Sequence, residues 1–298
     1  MIVAAFVMLA AIVPAAPVKL APAVADTVIQ AIQKDRADTE KWLRESPTSY
    51  LATIQRVDFG NKVLLTVGRS ADNDVRLNAE GIAEHHLQVS VDESQFDVEA
   101  LDAPARFKVG DREVREATVG PSSIGVGRYT IRLSHQGFPA LIVFDPRSPR
   151  YADYKGLEYF PPDLAYRYLV KLTRKPHPDT VVILSTRGSR RHALRVGWFD
   201  FKVGKTPCRL EVTRLLEPGV GENDLSVFFR DSTTGKESYE VGRYVDPQLQ
   251  PDGRYLLDFN FAYNPACAFS DHYNCPIPTK ANVLKVAVRA GEKDSHYH

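Results

Sequence analysis

The chain carries no excess of charge of either sign: 38 lysines and arginines meet 37 aspartates and glutamates, for a formal net charge of +1. Nucleic-acid binding normally shows as a strongly basic face, so the balance argues against that partner. Long hydrophobic runs are also missing. The apolar stretch Ile2 to Val13 is too short to span a bilayer comfortably. Beyond residue 46 no useful stretch of 3.6-residue periodicity occurs, which argues against an alternating β/α architecture. Motifs of the common catalytic machineries are absent too. There is no Walker loop, no dinucleotide-binding glycine fingerprint, no His-Glu-x-x-His helix and no Gly-x-Ser-x-Gly elbow. No cofactor and no metal site are expected.

What is present is the composition of an ordinary soluble globular protein, 44% apolar and 25% charged, in 298 residues that suffice for one large domain or two ordinary ones. The Ile2–Val13 run fits the apolar region of a signal peptide, and Ala23-Val24-Ala25 before Asp26 supplies the small residues a signal peptidase needs. No Lys or Arg precedes Lys19, so the usual positive start is missing. Residues 1–25 are read as a signal peptide or N-terminal anchor, and the protein as exported, periplasmic or secreted. Residues 26–46 predict a helix, with Asp26 as N-cap, a stripe of Ile29, Ile32, Trp42 and Leu43, and Pro47 at its end. The basic cluster Arg187, Arg190, Arg191 and Arg195 flanks Gly188 and reads as a solvated hairpin turn.

Everything after the helix reads as β. Strand-like runs cover Val63–Val67, Leu87–Val91, Tyr129–Leu133, Leu141–Phe144, Tyr166–Leu172, Val181–Leu184, Leu225–Phe229, Arg254–Phe261 and Val283–Val288, separated by turns such as Asp58-Phe59-Gly60-Asn61 and Gln136-Gly137. The segment Asp145–Pro149 is the best linker. The fold class is therefore mainly β, an N-terminal helix followed by two antiparallel β-rich domains, 47–148 and 149–298.

Within the first domain, Gly68-Arg69, Asn73-Asp74-Val75, Leu77, Ile82 and His86 follow the spacing of a known motif. Over residues 67–91 the chain resembles the core of a forkhead-associated domain, a β-sandwich that reads phosphothreonine with loops at one end. Where that pattern has its phosphate-binding serine, this chain has Ala83, and Glu84 follows. A phosphate needs hydroxyl, amide and guanidinium donors, so the resemblance implies the sandwich but argues against phosphopeptide recognition. His85 and His86, read as neighbours on a strand, point to opposite faces and cannot share a metal ion.

The second domain holds a denser signature. Gly197-Trp198-Phe199-Asp200-Phe201, then Asp231, Thr233, Gly235, Glu237, Tyr239, Gly242, Arg243 and Tyr244, then Asp258, Asn260, Ala262, Tyr263, Asn264, Pro265, Cys267, Cys275, Pro276, Pro278, Asn282 and Glu292 form it. Over 154–292 it resembles the bacterial domain-of-unknown-function family 1684, whose name implies no activity. Glu240 and Val241 stand where that family has a glycine pair. On a strand, Asp258 and Asn260 would share a face, within reach of an Arg243 paired to Asp258 or Glu237. A ligand site is expected from Glu237, Tyr239, Arg243, Asp258, Asn260, Asn264 and Asn282. Arg243 is expected to line it with partial structural character.

Cys267 and Cys275, separated by seven residues in one loop, are expected to form a disulfide, with Cys208 left free. A zinc site with His272, or a nucleophilic Cys267 with His272 as base, are the alternatives. His296 and His298 fall in a polar tail expected to be disordered. The function read from all this is a non-catalytic module binding a small molecule or a protein partner. The competing readings are a hydrolase using the carboxylates or the cysteine loop, and a phosphopeptide-binding sandwich.

Overall fold

A computed structural model describes residues 14–296, and the apolar run Ile2–Val13 and His298 lie outside them. The N-terminal helix spans Pro22–Glu45, four residues longer at its start than expected. Pro22 occupies its first turn, where a missing N–H costs nothing and φ is already helical, so Ala21 and not Asp26 is the N-cap. Ala23-Val24-Ala25 are thus helical. Upstream, the chain is woven into the second half: Ala15 N–H donates to Asp200 O at 3.0 Å, Lys202 N–H to Ala15 O at 2.9 Å and Val18 N–H to Arg167 O at 2.8 Å. The helix ends at Glu45 because the residue before Pro47 is driven out of the α region. Its buried face is Ile32 and Leu43.

The first half is a two-sheet sandwich. One sheet has six strands in the order Thr53–Asp58, Pro139–Phe144, Tyr129–His135, Ser122–Val126, Phe107–Val109, Arg112–Val114. The other has five: Val75–Arg76, Leu64–Gly68, Leu87–Asp92, Gln95–Ala100, Glu116–Val119. Gln95–Ala100 alternates exposed and buried at every residue, the signature of a strand with one wet face. Leu65, Val67, Val89 and Phe96 from one sheet meet Ile131, Leu133, Leu141 and Val143 from the other in one core. Segment 145–149 is tied down, with Asp145 paired to Arg128 at 2.9 Å and Ser148 buried.

In the resembling loops, Asn73 Nδ2 donates to Glu84 O at 2.8 Å, and Gly68 is required because a Cβ there would lie 2.2 Å from that carbonyl. His86 sits in the turn before Leu87–Asp92 rather than on a strand, and its Nδ1 accepts from Ala83 N–H at 3.1 Å. Arg69 is engaged by Glu84 at 2.5 Å. A phosphate would have to displace a carboxylate at a site lacking a hydroxyl, which should weaken binding by about 1.5–3 kcal/mol, or ten- to hundredfold. A phosphothreonine peptide array should therefore show no phosphate-dependent micromolar binding. Such binding, lost on Arg69→Ala, would refute this.

The second half is antiparallel throughout its named strands. A three-stranded meander, Thr173–Leu184, Arg190–Val203 and Thr206–Leu215, stands beside a three-stranded sheet of Arg167–Val170, Tyr255–Asp258 and Gln248–Leu249, and beside the pair Val227–Phe229 and Arg243–Val245. Tyr168, Phe199, Phe201, Phe229 and Phe259 form its aromatic core. Two expectations are corrected here. Val283–Val288 is not a strand: its extended backbone bonds to the loop of residues 230–232 through single contacts such as Leu284 N–H to Arg230 O at 2.8 Å. The basic cluster is a solvated turn only at Arg187, Gly188 and Arg190, which are exposed. Arg191 is buried, donates to Ser185 Oγ at 2.7 Å and pairs with Glu217, while Arg195 pairs with Asp179 at 2.9 Å and with Glu211. Residue spacing cannot show that acidic partners arrive from elsewhere in the chain.

Candidate functional site

The end of the strand Tyr255–Asp258 sets up the site. Asp258 is its last residue, and the chain turns at once into the short helical turn Phe259–Phe261. Asp258 Oδ1 caps that turn, accepting from Asn260 N–H at 3.0 Å and from Asn260 Nδ2 at 2.8 Å. Asn260 is fixed further by Asp163, whose N–H donates to Oδ1 at 2.8 Å and whose carbonyl accepts from Nδ2 at 2.9 Å. Four residues on from Asn260, Asn264 N–H donates to Glu292 Oε2 at 2.7 Å. Gly291 seats that glutamate: its φ is 79°, and a Cβ would lie 2.4 Å from Ala262 O.

These residues form one wall of a cavity of about 380 Å³. The helix Pro22–Glu45 supplies the facing wall with Asp35, Thr39, Trp42 and Leu43, and Tyr50, Tyr159, Asp246, Gln248 and Phe269 complete it. Trp42 and Tyr50 meet edge to face at 4.9 Å between centroids, and Tyr50 lies 5.2 Å from Phe269. Three carboxylates face in and no lysine, arginine or histidine lines the cavity. Arg36 stands beside it, stacked over Tyr159 at 4.5 Å.

Partial desolvation disfavours charge on all three acids, most on the buried Glu292 and less on Asp35 and Asp246, which keep solvent exposure. It pushes Glu292 up to about 7, against the amide of Asn264 and the nearby Arg243. Asp246 is raised by burial, against the Tyr263 hydroxyl that donates to it at 3.1 Å. Asp35 is raised by burial and by Asp38. Asn264 Oδ1 is buried and receives no hydrogen bond from the protein, although Nδ2 donates to Lys293 O at 2.7 Å. The cavity is therefore rich in acceptors and aromatic faces, and it favours a ligand that brings positive charge and donors.

Of the residues expected at a site, only Asn260 and Asn264 reach this cavity. Tyr239 lines a separate one. Asp258 and Asn260 do not share a strand face, because the strand ends between them, and Asp258 pairs with Arg167 instead of Arg243. Glu237 is held at the surface by Arg289 at 2.8 Å. Asn282 is buried, accepting from Glu211 N–H at 2.6 Å and donating to Phe228 O at 2.8 Å. Arg243 lines neither cavity. It is buried and donates to the carbonyls of Ala290 at 2.5 Å, Val288 at 2.7 Å and Glu292 at 3.2 Å, with Asp231 at 3.4 Å as its counter-ion.

The expected disulfide is not formed: Cys267 and Cys275 are separate buried thiols, as is Cys208. Cys267 N–H donates to Cys275 Sγ at 3.3 Å, so the loop is closed by hydrogen bonds rather than covalently. His272 faces Asp271 at 3.7 Å. His296 lies within the described residues and contributes to the cavity that Tyr239 lines.

The family described as protein of unknown function, DUF1684, matches residues 152–293. A solved structure, the uncharacterised protein from gene locus rrnAC0354 of Haloarcula marismortui, is 36% identical over 50% of this chain and 82% of its own, with a TM-score of 0.41. The chain belongs to the DUF1684 family. Its membership rests on residues 152–293, which supply most of the larger cavity and one wall of the smaller. Mycobacterium tuberculosis EmbR, solved with a low-affinity phosphopeptide, is similar at 14% identity and a TM-score of 0.22, over 39% of this chain and 31% of its own length. No curated protein matches.

Proposed function

We propose that this DUF1684 protein is a non-catalytic binding module whose ligand is a small molecule carrying a cationic amine. One observation carries the reading: the signature residues Asn260, Ala262, Tyr263, Asn264 and Glu292 line a single cavity closed by Trp42, Tyr50 and Asp35 from outside the signature. A cation there pairs with the buried Glu292 and the more exposed Asp35 and Asp246 and lies against aromatic faces, where it gains about 1–2 kcal/mol when desolvated. The division near residue 148 and export belong to the same proposal and rest on the sequence.

A hydrolase reading is favoured by one feature, Glu292, whose value near 7 suits proton transfer. Glu237 and Asp258, both held by arginines, do not support it.

Thermal melting of the full chain against panels of primary amines, quaternary ammonium ions and carboxylates tests the proposal. Amines at about a hundredfold excess over Kd should stabilise by about 2.7 kcal/mol, and the shift should vanish in Asp246→Asn and Trp42→Ala. Stabilisation by carboxylates alone, or by neither panel, would overturn it.

A further inference from the structure

The second cavity, about 960 Å³, opens beside the turn at Thr186 and Arg187 and has Cys267 in its wall. Near that sulfur stand the Tyr239 hydroxyl, 3.9 Å away and also donating to Cys267 O at 3.2 Å, and the Thr186 hydroxyl, whose proton goes to Tyr273 O at 3.2 Å. Thr186 also fixes the second cysteine, its Oγ1 accepting from Cys275 N–H at 3.0 Å. The two thiols are unequal in position. Cys267 reaches the cavity, whereas Cys275 stands behind it, buried, and contributes nothing to the wall.

We propose that Cys267 is a nucleophilic thiolate and Cys275 its resolving thiol, and that the pair exchanges with the disulfide of a small, zwitterionic, peptide-like molecule bound in this cavity. The wall carries both signs of charge, Arg187 and Lys236 against Glu240, Asp271 and Asp294, which suits a ligand with ammonium and carboxylate groups. The volume falls in the range of small-molecule sites. The neighbouring groups, Cys275 foremost, hold Cys267 below the ordinary thiol value, while Cys275 is pushed well above it by its partner sulfur and by burial. That asymmetry is what exchange requires, a thiolate in front and a protonated reserve behind.

In the first step the Cys267 thiolate attacks one sulfur of the substrate disulfide. The S–S bond breaks, a mixed disulfide forms, and one substrate half leaves as thiolate. In the second, Cys275 sulfur attacks the Cys267 side of the mixed disulfide, and its proton passes to the second departing half. The two cysteines are oxidised to a disulfide, and the substrate is reduced to two thiols. The closeness of Cys275 Sγ to the Cys267 amide makes the second step local.

Glutathione disulfide serves as the probe, with the full-length protein. Iodoacetamide should alkylate Cys267 at neutral pH about tenfold faster than Cys208, with a pH midpoint below that of a free thiol. Tyr239→Phe should raise that midpoint without unfolding the protein. Glutathione disulfide should yield a linked 267–275 peptide and two equivalents of reduced glutathione in wild type. Cys275→Ser, or Cys275→Ala where the serine variant does not fold, should stop at a mixed disulfide on Cys267. Cys208→Ser should change nothing, and Cys267→Ser should abolish the reaction. Alkylation of Cys267 no faster than that of Cys208, or no mixed disulfide on Cys267 in either folded Cys275 variant, would overturn the proposal.

Discussion

Stability should fall as pH rises from about 4.5 to about 7, and Glu292→Gln should remove most of that fall. Burial raises the Glu292 carboxyl from 4.5 to about 7 in the folded chain. Between those values the folded state keeps a proton that the unfolded state has lost, so unfolding free energy declines as pH climbs. Below 4.5 both states are protonated and the penalty is absent; above 7 both are ionised and it is complete. A displacement of this size corresponds to about 3 kcal/mol. Glutamine still accepts from Asn264 N–H but carries no proton to lose. Urea unfolding of both proteins at about pH 5 and about pH 8 decides the matter, and an equal pH dependence in the two would reject it. Asp35 and Asp246, raised in the same direction, remain in both proteins and cancel in the comparison.

Arg243→Ala should cost about 3–5 kcal/mol, since removing one partner of a buried pair leaves the other charge unmatched. The unmatched group is Asp231, whose Oδ2 also accepts the Val288 amide. Three carbonyls, of Val288, Ala290 and Glu292, would lose their donor as well. Arg243→Lys should recover only part of the loss. An ammonium lacks the planar fork that serves three carbonyls and a carboxylate together, and it loses the stacking on Phe229 at 5.2 Å. Denaturant titration of both variants measures this. Near-wild-type stability with weakened amine binding would mean that Arg243 acts on a ligand instead.

This outcome for Arg243 shows how far the residue pattern could be read. The signature marked Arg243, Asp258 and Asn260 as belonging together, but each is held by different partners: Asp231 and three carbonyls, Arg167, and Asp163. Asp258 and Asn260 do not share a face because the strand ends at Asp258, and a strand's end is set by its partner Arg167–Val170 rather than by its own apolar alternation. The strand Gln95–Ala100, missed from sequence, lies in a stretch as polar as a loop. Half its residues face water, and pairing with Leu87–Asp92 on one edge and Glu116–Val119 on the other makes it a strand. The cysteine spacing suggested a disulfide, but spacing does not orient sulfur atoms.

The sequence by itself determined the mainly β class, the helix before Pro47, the turns at Gly60 and Gly137 and the family of the C-terminal half. Each is a local property, a period of two, a fixed φ or a run of motif residues, and is legible wherever it occurs. Only the tertiary structure decided that Asp35 and Trp42 of the helix face Asn264 and Glu292, more than two hundred residues away, and that Thr186 and Tyr239 converge on Cys267. Those encounters depend on which apolar faces bury against one another, and the raised carboxyl of Glu292 exists only once the helix has covered it.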